Sequence, residues 1–185
     1  MNDEVFTLEQ EETKRPVTMA EKIEYAHRVL LLGAKMSMDF YGEPLMVAYS
    51  GGKDSDVLLR LAEECLKPCE FEVENSHTSV DAPQTVYHIR EEFERLNRSG
   101  IHASTIIPRY SGGGQKTMWN LTRQKLMLPT RLVRFCCAEL KETTTPNRLV
   151  AVGVREDESS GRKGRDAFQT WGGQERKRAN GLFFA

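Results

Sequence analysis

The stretch that decides the fold is Leu45-Met46-Val47-Ala48-Tyr49-Ser50-Gly51-Gly52-Lys53-Asp54-Ser55. Its first five residues are a short and nearly unbroken apolar run, which is typical of a strand buried on both faces of a parallel sheet. Apolar residues then recur at helical spacing from Val57 to Cys65, and Pro68 ends the predicted helix. The stretch therefore predicts a buried strand, a glycine loop and a helix in direct succession.

Predicted strands and helices alternate on both sides of this stretch. We therefore expect an α/β fold, a doubly wound and mostly parallel sheet with flanking helices in a Rossmann-like arrangement. The domain is expected to span 18–166, after a polar segment at 1–17 and before a tail at 167–185 in which no element is predicted. The predicted helices cover 19–38, where Thr18 and Glu21 suit a capping box, a segment that opens at Asp54 and is ended by Pro68, a segment from Asp81-Ala82-Pro83 to Gly100, 117–126 with Thr117 as cap, and 136–142. The further predicted strands cover 71–75, 103–107 and 149–154.

Length and composition favour one globular domain. The chain has 185 residues, of which 39% are hydrophobic and 29% charged, enough for one full core. A formal net charge of -1 gives no overall electrostatic case for a nucleic-acid or membrane partner, so any nucleic-acid contact would be local. The acidic start lacks the features of a secretory signal, and no stretch has the apolar length of a membrane span. We expect a cytoplasmic protein without a membrane partner.

The glycine loop has the chemistry of an anion site. Gly51 and Gly52 allow positive φ and a close approach of the backbone, so that successive amides point inward. The helix start adds unpaired amides and the positive end of its dipole. Lys53 brings a full charge, while Ser50 and Ser55 supply hydroxyl donors. A simple tight turn explains the glycines but not the lysine and serines, and the loop is too short for a Walker A element.

The loop Ser-Gly-Gly-Lys-Asp-Ser at 50–55 resembles the PP-loop of the ATP pyrophosphatase (adenine nucleotide alpha hydrolase-like) superfamily. Residues 128–142 resemble the Arg-aromatic-Cys-Cys-x-x-Leu-Lys signature of the phosphoadenosine phosphosulfate (PAPS) reductase family, and 153–162 resemble its Gly-x-Arg-x-x-Glu-Ser-x-x-Arg block. The segment 77–90 is similar to versions in bacterial and phage-borne members. These blocks follow one another in the family's order.

The resemblance implies an enzyme that binds ATP, PAPS or adenosine phosphosulfate and acts in sulfonucleotide reduction or sulfur transfer. Lys53 and Arg155 would neutralise phosphate charge during bond cleavage, and Cys136 or Cys137 would carry sulfur. Arg155 also follows an apolar strand at its carboxyl end, where ligands gather. The expected nucleotide-binding residues are Ser50, Gly51, Gly52, Lys53, Asp54, Ser55, Asp81, Arg134, Arg155, Glu158, Ser159 and Arg162.

Two candidate metal sites follow. Asp54 and Asp81 either hold a magnesium ion that bridges phosphates or cap the helices that begin beside them. Cys136 and Cys137 correspond to two thiolates of the [4Fe-4S] cluster in iron-sulfur members of the family. Because no cysteine follows Cys137, we expect no complete cluster within this chain, and we interpret the remaining cysteines, Cys65 and Cys69, as core or surface thiols.

The sequence departs from the sulfonucleotide reductases in one further respect. Their carboxyl-terminal Glu-Cys-Gly-Leu-His segment, whose thiolate attacks the sulfate sulfur, has no counterpart here. Two alternatives therefore stay open: an ATP pyrophosphatase that adenylates a nucleic acid for thiolation, and a non-catalytic nucleotide-binding remnant. The corresponding partners are a thiol-donor protein, a nucleic-acid substrate or a second copy of the chain.

Overall fold

Six strands form one sheet that is flanked by helices. The computed structural model describes residues 18–141, 148–154, 167–171 and 179–184. The strands are β1 (Leu45–Ala48), β2 (Phe71–Ser76), β3 (Ala103–Ile106), β4 (Val150–Gly153), β5 (Phe168–Trp171) and β6 (Ala179–Phe184). The helices are α1 (Met19–Tyr41), α2 (Lys53–Cys65), α3 (Pro83–Arg98), α4 (Met118–Lys125) and α5 (Phe135–Leu140).

The strand order is β3-β2-β1-β4-β6-β5. The pairs β1–β2, β2–β3, β1–β4 and β4–β6 are parallel, and β5 is antiparallel to β6. The chain thus builds the sheet outward from β1 to β3 and then returns to the other side of β1 with β4. This topology confirms the predicted doubly wound α/β fold, and it makes the gap between β1 and β4 the switch point at which such sheets bind ligands.

Local signals explain the helix ends. Thr18 Oγ accepts a hydrogen bond from Glu21 N at 3.2 Å, while Thr18 N donates to Glu21 Oε2 at 3.0 Å, so the predicted capping box is confirmed. Helix α1 continues to Tyr41, beyond the predicted end at Met38, and stops at Gly42 with φ +68°. Only a residue that tolerates this left-handed conformation ends a helix in this way at low cost.

The core lies around β1. Leu45, Met46 and Val47 are successive and all buried, which confirms that both faces of this strand are covered. Helices α1, α2 and α3 and strand β2 contribute the partners of β1. The buried core residues include Leu30, Leu45, Val47, Leu58, Leu59, Ala62, Phe71, Val73, Phe93, Leu96 and Ala151.

The prediction of no element at 167–185 is wrong. Strand β6 pairs with β4, placing Ala151 opposite Leu182, and β5 continues the sheet, placing Phe168 opposite the same residue. The β-prone runs here are only four and six residues long and stand among glycines and cations, so local propensity is weak. Pairing with a strand that is distant in sequence supplies the missing stabilisation.

Within the described ranges, no helix combines the length and apolar character needed to cross a bilayer.

Candidate anion-binding site

The glycine loop lies at the switch point of the sheet. It joins the carboxyl end of β1 to α2, and the carboxyl end of β4 reaches it at Gly153. A Cβ atom on Gly153 would stand 2.7 Å from the backbone oxygen of Asp54, closer than atoms can pack. Glycine is therefore required here, and β4 is in direct contact with the first turn of α2.

Gly51 is constrained in two ways. Its φ is +70°, in the left-handed region, and a Cβ atom would stand 2.9 Å from Ile89 Cγ1 and 3.1 Å from Thr85 Cγ2. The loop therefore rests directly on α3. The predicted positive φ is confirmed for Gly51 but is wrong for Gly52, which is extended at φ −98° and is the N-cap of α2.

The hydroxyl of Ser55 holds the loop together from inside. It accepts hydrogen bonds from Gly52 N at 3.1 Å and Ser50 N at 3.3 Å, and it donates to Gly52 O at 2.8 Å. Ser55 is buried, whereas Ser50 is exposed with its Oγ 3.2 Å from Ser55 Oγ. The structure thus shows that Ser55 shapes the loop, while its role as a donor to the anion stays a prediction.

Helix α2 offers the loop amides and a cation. The first intrahelical bond runs from Asp56 N to Gly52 O at 2.9 Å, so the amides of the preceding turn have no intrahelical carbonyl. Lys53 is exposed and has no ion-pair partner among the residues that the structure describes. The charge of Lys53 and the positive end of the α2 dipole therefore both attract negative charge at the start of the helix, which favours a bound anion.

A cluster behind the loop was missed by sequence reasoning. Tyr49 Oη donates to Asp56 Oδ1 at 2.5 Å, and His88 Nε2 lies 3.0 Å from the same hydroxyl. Tyr49 is 2% exposed, and burial together with the bond to Asp56 raises the pKa of its hydroxyl far above the ordinary value. The hydroxyl therefore stays a proton donor that holds the Asp56 carboxylate against α3. Asp56 and His88 lie 7 and 39 residues after Tyr49 in the sequence, and such separations give no signal for a cluster.

A cavity of about 240 Å³ adjoins the loop. It lies between α3 and the carboxyl ends of β2 and β3, and one of its lining residues, Ile89, also packs against Gly51. Aliphatic and polar side chains share the walls, so the cavity suits a ligand with both characters. Its lining residues are Asn75, His77, Asp81, Val86, Ile89, Arg90, Thr105 and Ile107.

Asp81 does not cap α3. Its Oδ2 accepts hydrogen bonds from Thr78 N at 3.2 Å and Thr78 Oγ1 at 2.7 Å, while Ala82 is the N-cap and Pro83 opens the helix. The capping alternative for Asp81 is therefore wrong, and its carboxylate lines the cavity instead. No group of three His, Cys, Asp or Glu side chains suited to a metal occurs within the described ranges, so magnesium at Asp54 or Asp81 would need phosphate oxygens as further ligands.

The cysteine pair lies in α5, in the connection from β3 to β4. Cys136 and Cys137 are half-buried, and the exposed Arg134 is the N-cap residue of the helix. Glu139 joins this helix to Lys116 at 2.8 Å and to Lys125 at 3.8 Å. These ion pairs hold α5 to α4 and to the loop before it rather than to the glycine loop.

The two remaining cysteines lie in and just after the end of α2, near the amino end of β2. Cys65 ends α2 and Cys69 precedes β2, where Cys69 is exposed and burial raises the pKa of Cys65 to about 11. The four thiols do not gather into a group and so do not fit a four-thiolate cluster.

Four predicted site residues, Arg155, Glu158, Ser159 and Arg162, lie outside the described residues.

The fold and the loop together define a doubly wound α/β protein with a glycine loop at its switch point. Comparison with protein-family models finds no match, and comparison with curated proteins finds no significant relative.

Proposed function

We propose that the chain is an adenosine-nucleotide-binding enzyme of the PAPS reductase family that acts in sulfonucleotide reduction or sulfur transfer. The observation that carries the proposal is the glycine loop, with Gly51 in the left-handed region and Lys53 at a helix start beside the switch point. Backbone amides and the exposed Lys53 ammonium group, which has no ion-pair partner among the described residues, suit the phosphates of a nucleotide in this arrangement.

The neighbouring cavity supports a nucleoside beside those phosphates. Ile89 lines the cavity and also packs against Gly51, so the cavity and the loop share one side chain. Its volume of about 240 Å³ lies below the ~300–1,000 Å³ of sites for whole drug-sized ligands and suits one part of a nucleotide, such as the base. Asn75, Thr105 and Arg90 supply polar groups for its edges.

The chain's own groups then act on the phosphate end. Lys53 and the amides of the first turn stabilise negative charge that develops on phosphate oxygens, which is electrostatic catalysis by preorganised donors. Magnesium held by Asp54 and Asp81 together with phosphates would add charge neutralisation. In reduction, two thiols of a donor protein become a disulfide and the sulfate sulfur leaves as sulfite. In sulfur transfer, a persulfide donor would pass its outer sulfur to the thiolate of Cys136 or Cys137 and leave as a thiol, so that cysteine must be accessible as a thiolate.

Calorimetry with ATP, AMP, adenosine phosphosulfate and PAPS tests the binding site. Lys53→Ala removes a charged donor, so we expect affinity for the preferred ligand to fall about 10- to 100-fold, in line with ~1.5–3 kcal/mol for a bond to a charged group. Lys35→Ala is the matched control, since Lys35 is an exposed lysine in α1. Unchanged nucleotide binding by the Lys53 variant would contradict the assignment.

The released products distinguish reduction of a sulfonucleotide from adenylation of a nucleic acid. Release of sulfite from PAPS with a thiol donor indicates reduction, and release of pyrophosphate from ATP with a nucleic acid indicates the alternative, adenylation for thiolation. That alternative has one observation in its favour: residues 95–138 contain eight Lys and Arg and no Asp or Glu. Binding without either product indicates the non-catalytic alternative.

A further inference from the structure

The charge of the chain is divided unevenly along its length. Between Glu94 and Glu139 there are eight basic residues and no acidic one. Since the whole chain has 26 Lys and Arg and 27 Asp and Glu, the rest carries 18 basic against 27 acidic residues. The near-zero net charge therefore conceals a strongly cationic segment, and every residue of that segment is described by the structure.

The ion pairs show which of these cations remain available. Arg95 and Arg98 pair with glutamates in or beside α3, and Lys116 and Lys125 pair with Glu139. The four others have no acidic partner among the described residues, and all four are exposed arginines: Arg109, Arg123, Arg131 and Arg134. Guanidinium groups bind phosphate in a bidentate manner and stack on planar rings, which an ammonium group does not do.

Exposed apolar side chains stand among these arginines. Trp119 is 70% exposed, and on α4 it shares a face with Arg123 at i+4, while the C-cap residue Leu126 is 90% exposed. Leu121, on the opposite side of α4, is buried, so the Trp119 face points away from the core. An exposed indole beside guanidinium groups is the usual platform for stacking an unpaired base.

A tight turn presents the next part of this surface. Thr130 N donates to Val133 O at 3.1 Å, and Val133 N donates to Thr130 Oγ1 at 3.0 Å, which places Arg131 and Leu132 at the tip. Leu132 is 96% exposed. Arg134 follows directly and begins α5, so the cationic surface leads into the helix of Cys136 and Cys137.

We propose that Arg109, Trp119, Arg123, Arg131 and Arg134 form a binding surface for single-stranded nucleic acid. The arginines bind backbone phosphates, Trp119 stacks on a base, and the exposed leucines pack against base and sugar faces. A role in delivering an acceptor strand rests on the alternative given under the proposed function, adenylation of a nucleic acid for thiolation, because the surface lies in the connection that carries the cysteine pair.

Fluorescence anisotropy with a fluorescein-labelled oligothymidine of about 20 nucleotides tests the surface, since single-strand-binding domains typically cover ~4–16 nucleotides. We expect binding that weakens steeply with salt, and we expect Arg123→Gln/Arg131→Gln to lower affinity about 10-fold or more and to reduce the salt slope by about 1.4, at ~0.7 for each phosphate contact to a single strand. Trp119→Ala is expected to lower affinity at least ~5-fold. Arg98→Gln is the control, because this exposed arginine is already paired with Glu94 at 3.0 Å, and it leaves the affinity unchanged.

Three results would overturn the proposal: no binding at low salt, an equal loss with Arg98→Gln, or binding to phosphatidylserine vesicles that depends on Leu132 while the oligonucleotide is ignored. Circular dichroism confirms that each variant is folded. Lys53→Ala separates this proposal from the previous one, because it is expected to lower nucleotide affinity about 10- to 100-fold while oligonucleotide affinity is unchanged. Loss of only one of the two activities therefore identifies which proposal has failed.

Discussion

Gly153→Ala tests whether the end of β4 sets the position of the glycine loop. The added Cβ would stand 2.7 Å from Asp54 O and 3.0 Å from Asp54 C, and ordinary contact begins at 3.4 Å. The first turn of α2 must therefore retreat by about 0.7 Å, because the obstructing atoms are backbone and have no rotamer in which to move. Forced overpacking of this kind typically costs ~1–3 kcal/mol in the free energy of unfolding.

The same retreat moves the amides that face the anion. A displacement approaching 1 Å at a positioned site costs up to ~100-fold in activity, so we expect nucleotide affinity to fall on the order of 10-fold. Urea unfolding measures the first effect and calorimetry the second. Gly112→Ala is the matched control, since its Cβ would have no neighbour within 4 Å. Wild-type affinity and stability in the Gly153 variant would refute the reasoning.

Three further predictions concern stability and reactivity. Glu92→Gln weakens the ion-pair network between α2 and α3 and is expected to lower the free energy of unfolding by about 1–3 kcal/mol at pH 7. Because Arg95 lowers the pKa of Glu92, this stabilisation is present above the ~4.3 of an unfolded glutamate and is lost as the pH falls through the lower folded pKa. Urea unfolding at a series of pH values should therefore show the stabilities of the variant and the wild type converging in acid. Cys65 should react with a thiol reagent at pH 8 at least ~10-fold more slowly than the exposed Cys69, because burial raises its pKa to about 11; equal rates by mass spectrometry would contradict this. Leu132→Ser should change the unfolding free energy by less than ~0.5 kcal/mol, since the side chain is 96% exposed, and a larger loss in urea unfolding would mean that it packs against the protein.

Features that depend on neighbours in sequence were predictable. The apolar run before the glycine loop identified the buried strand, the positive φ of Gly51 was expected, and Thr18 and Thr117 cap the helices as predicted. Each of these signals acts over one or two turns of chain, where backbone geometry and hydrogen bonding limit the choices.

Features that depend on distant neighbours were not predictable. Asp81 fitted the pattern of a helix cap, but Thr78 donates to its carboxylate. The sequence does not show whether this carboxylate accepts from Thr78 or from the amides at the start of α3. Ser55 was expected to donate to a ligand, but in the structure its hydroxyl donates a hydrogen bond to Gly52 O within the loop. Strand β6 depends on pairing with β4, and β5 depends on pairing with β6, which local propensity does not contain.

The order of the strands also has a consequence for synthesis on the ribosome. Strand β1 leaves the ribosome early and soon finds β2, but its other partner, β4, is made about a hundred residues later. At ~5–20 residues per second, one edge of a fully apolar strand stays unpaired for roughly 5–20 seconds, and such edges pair readily with other chains. The nascent protein therefore passes through a period in which a chaperone that covers this edge protects it from aggregation.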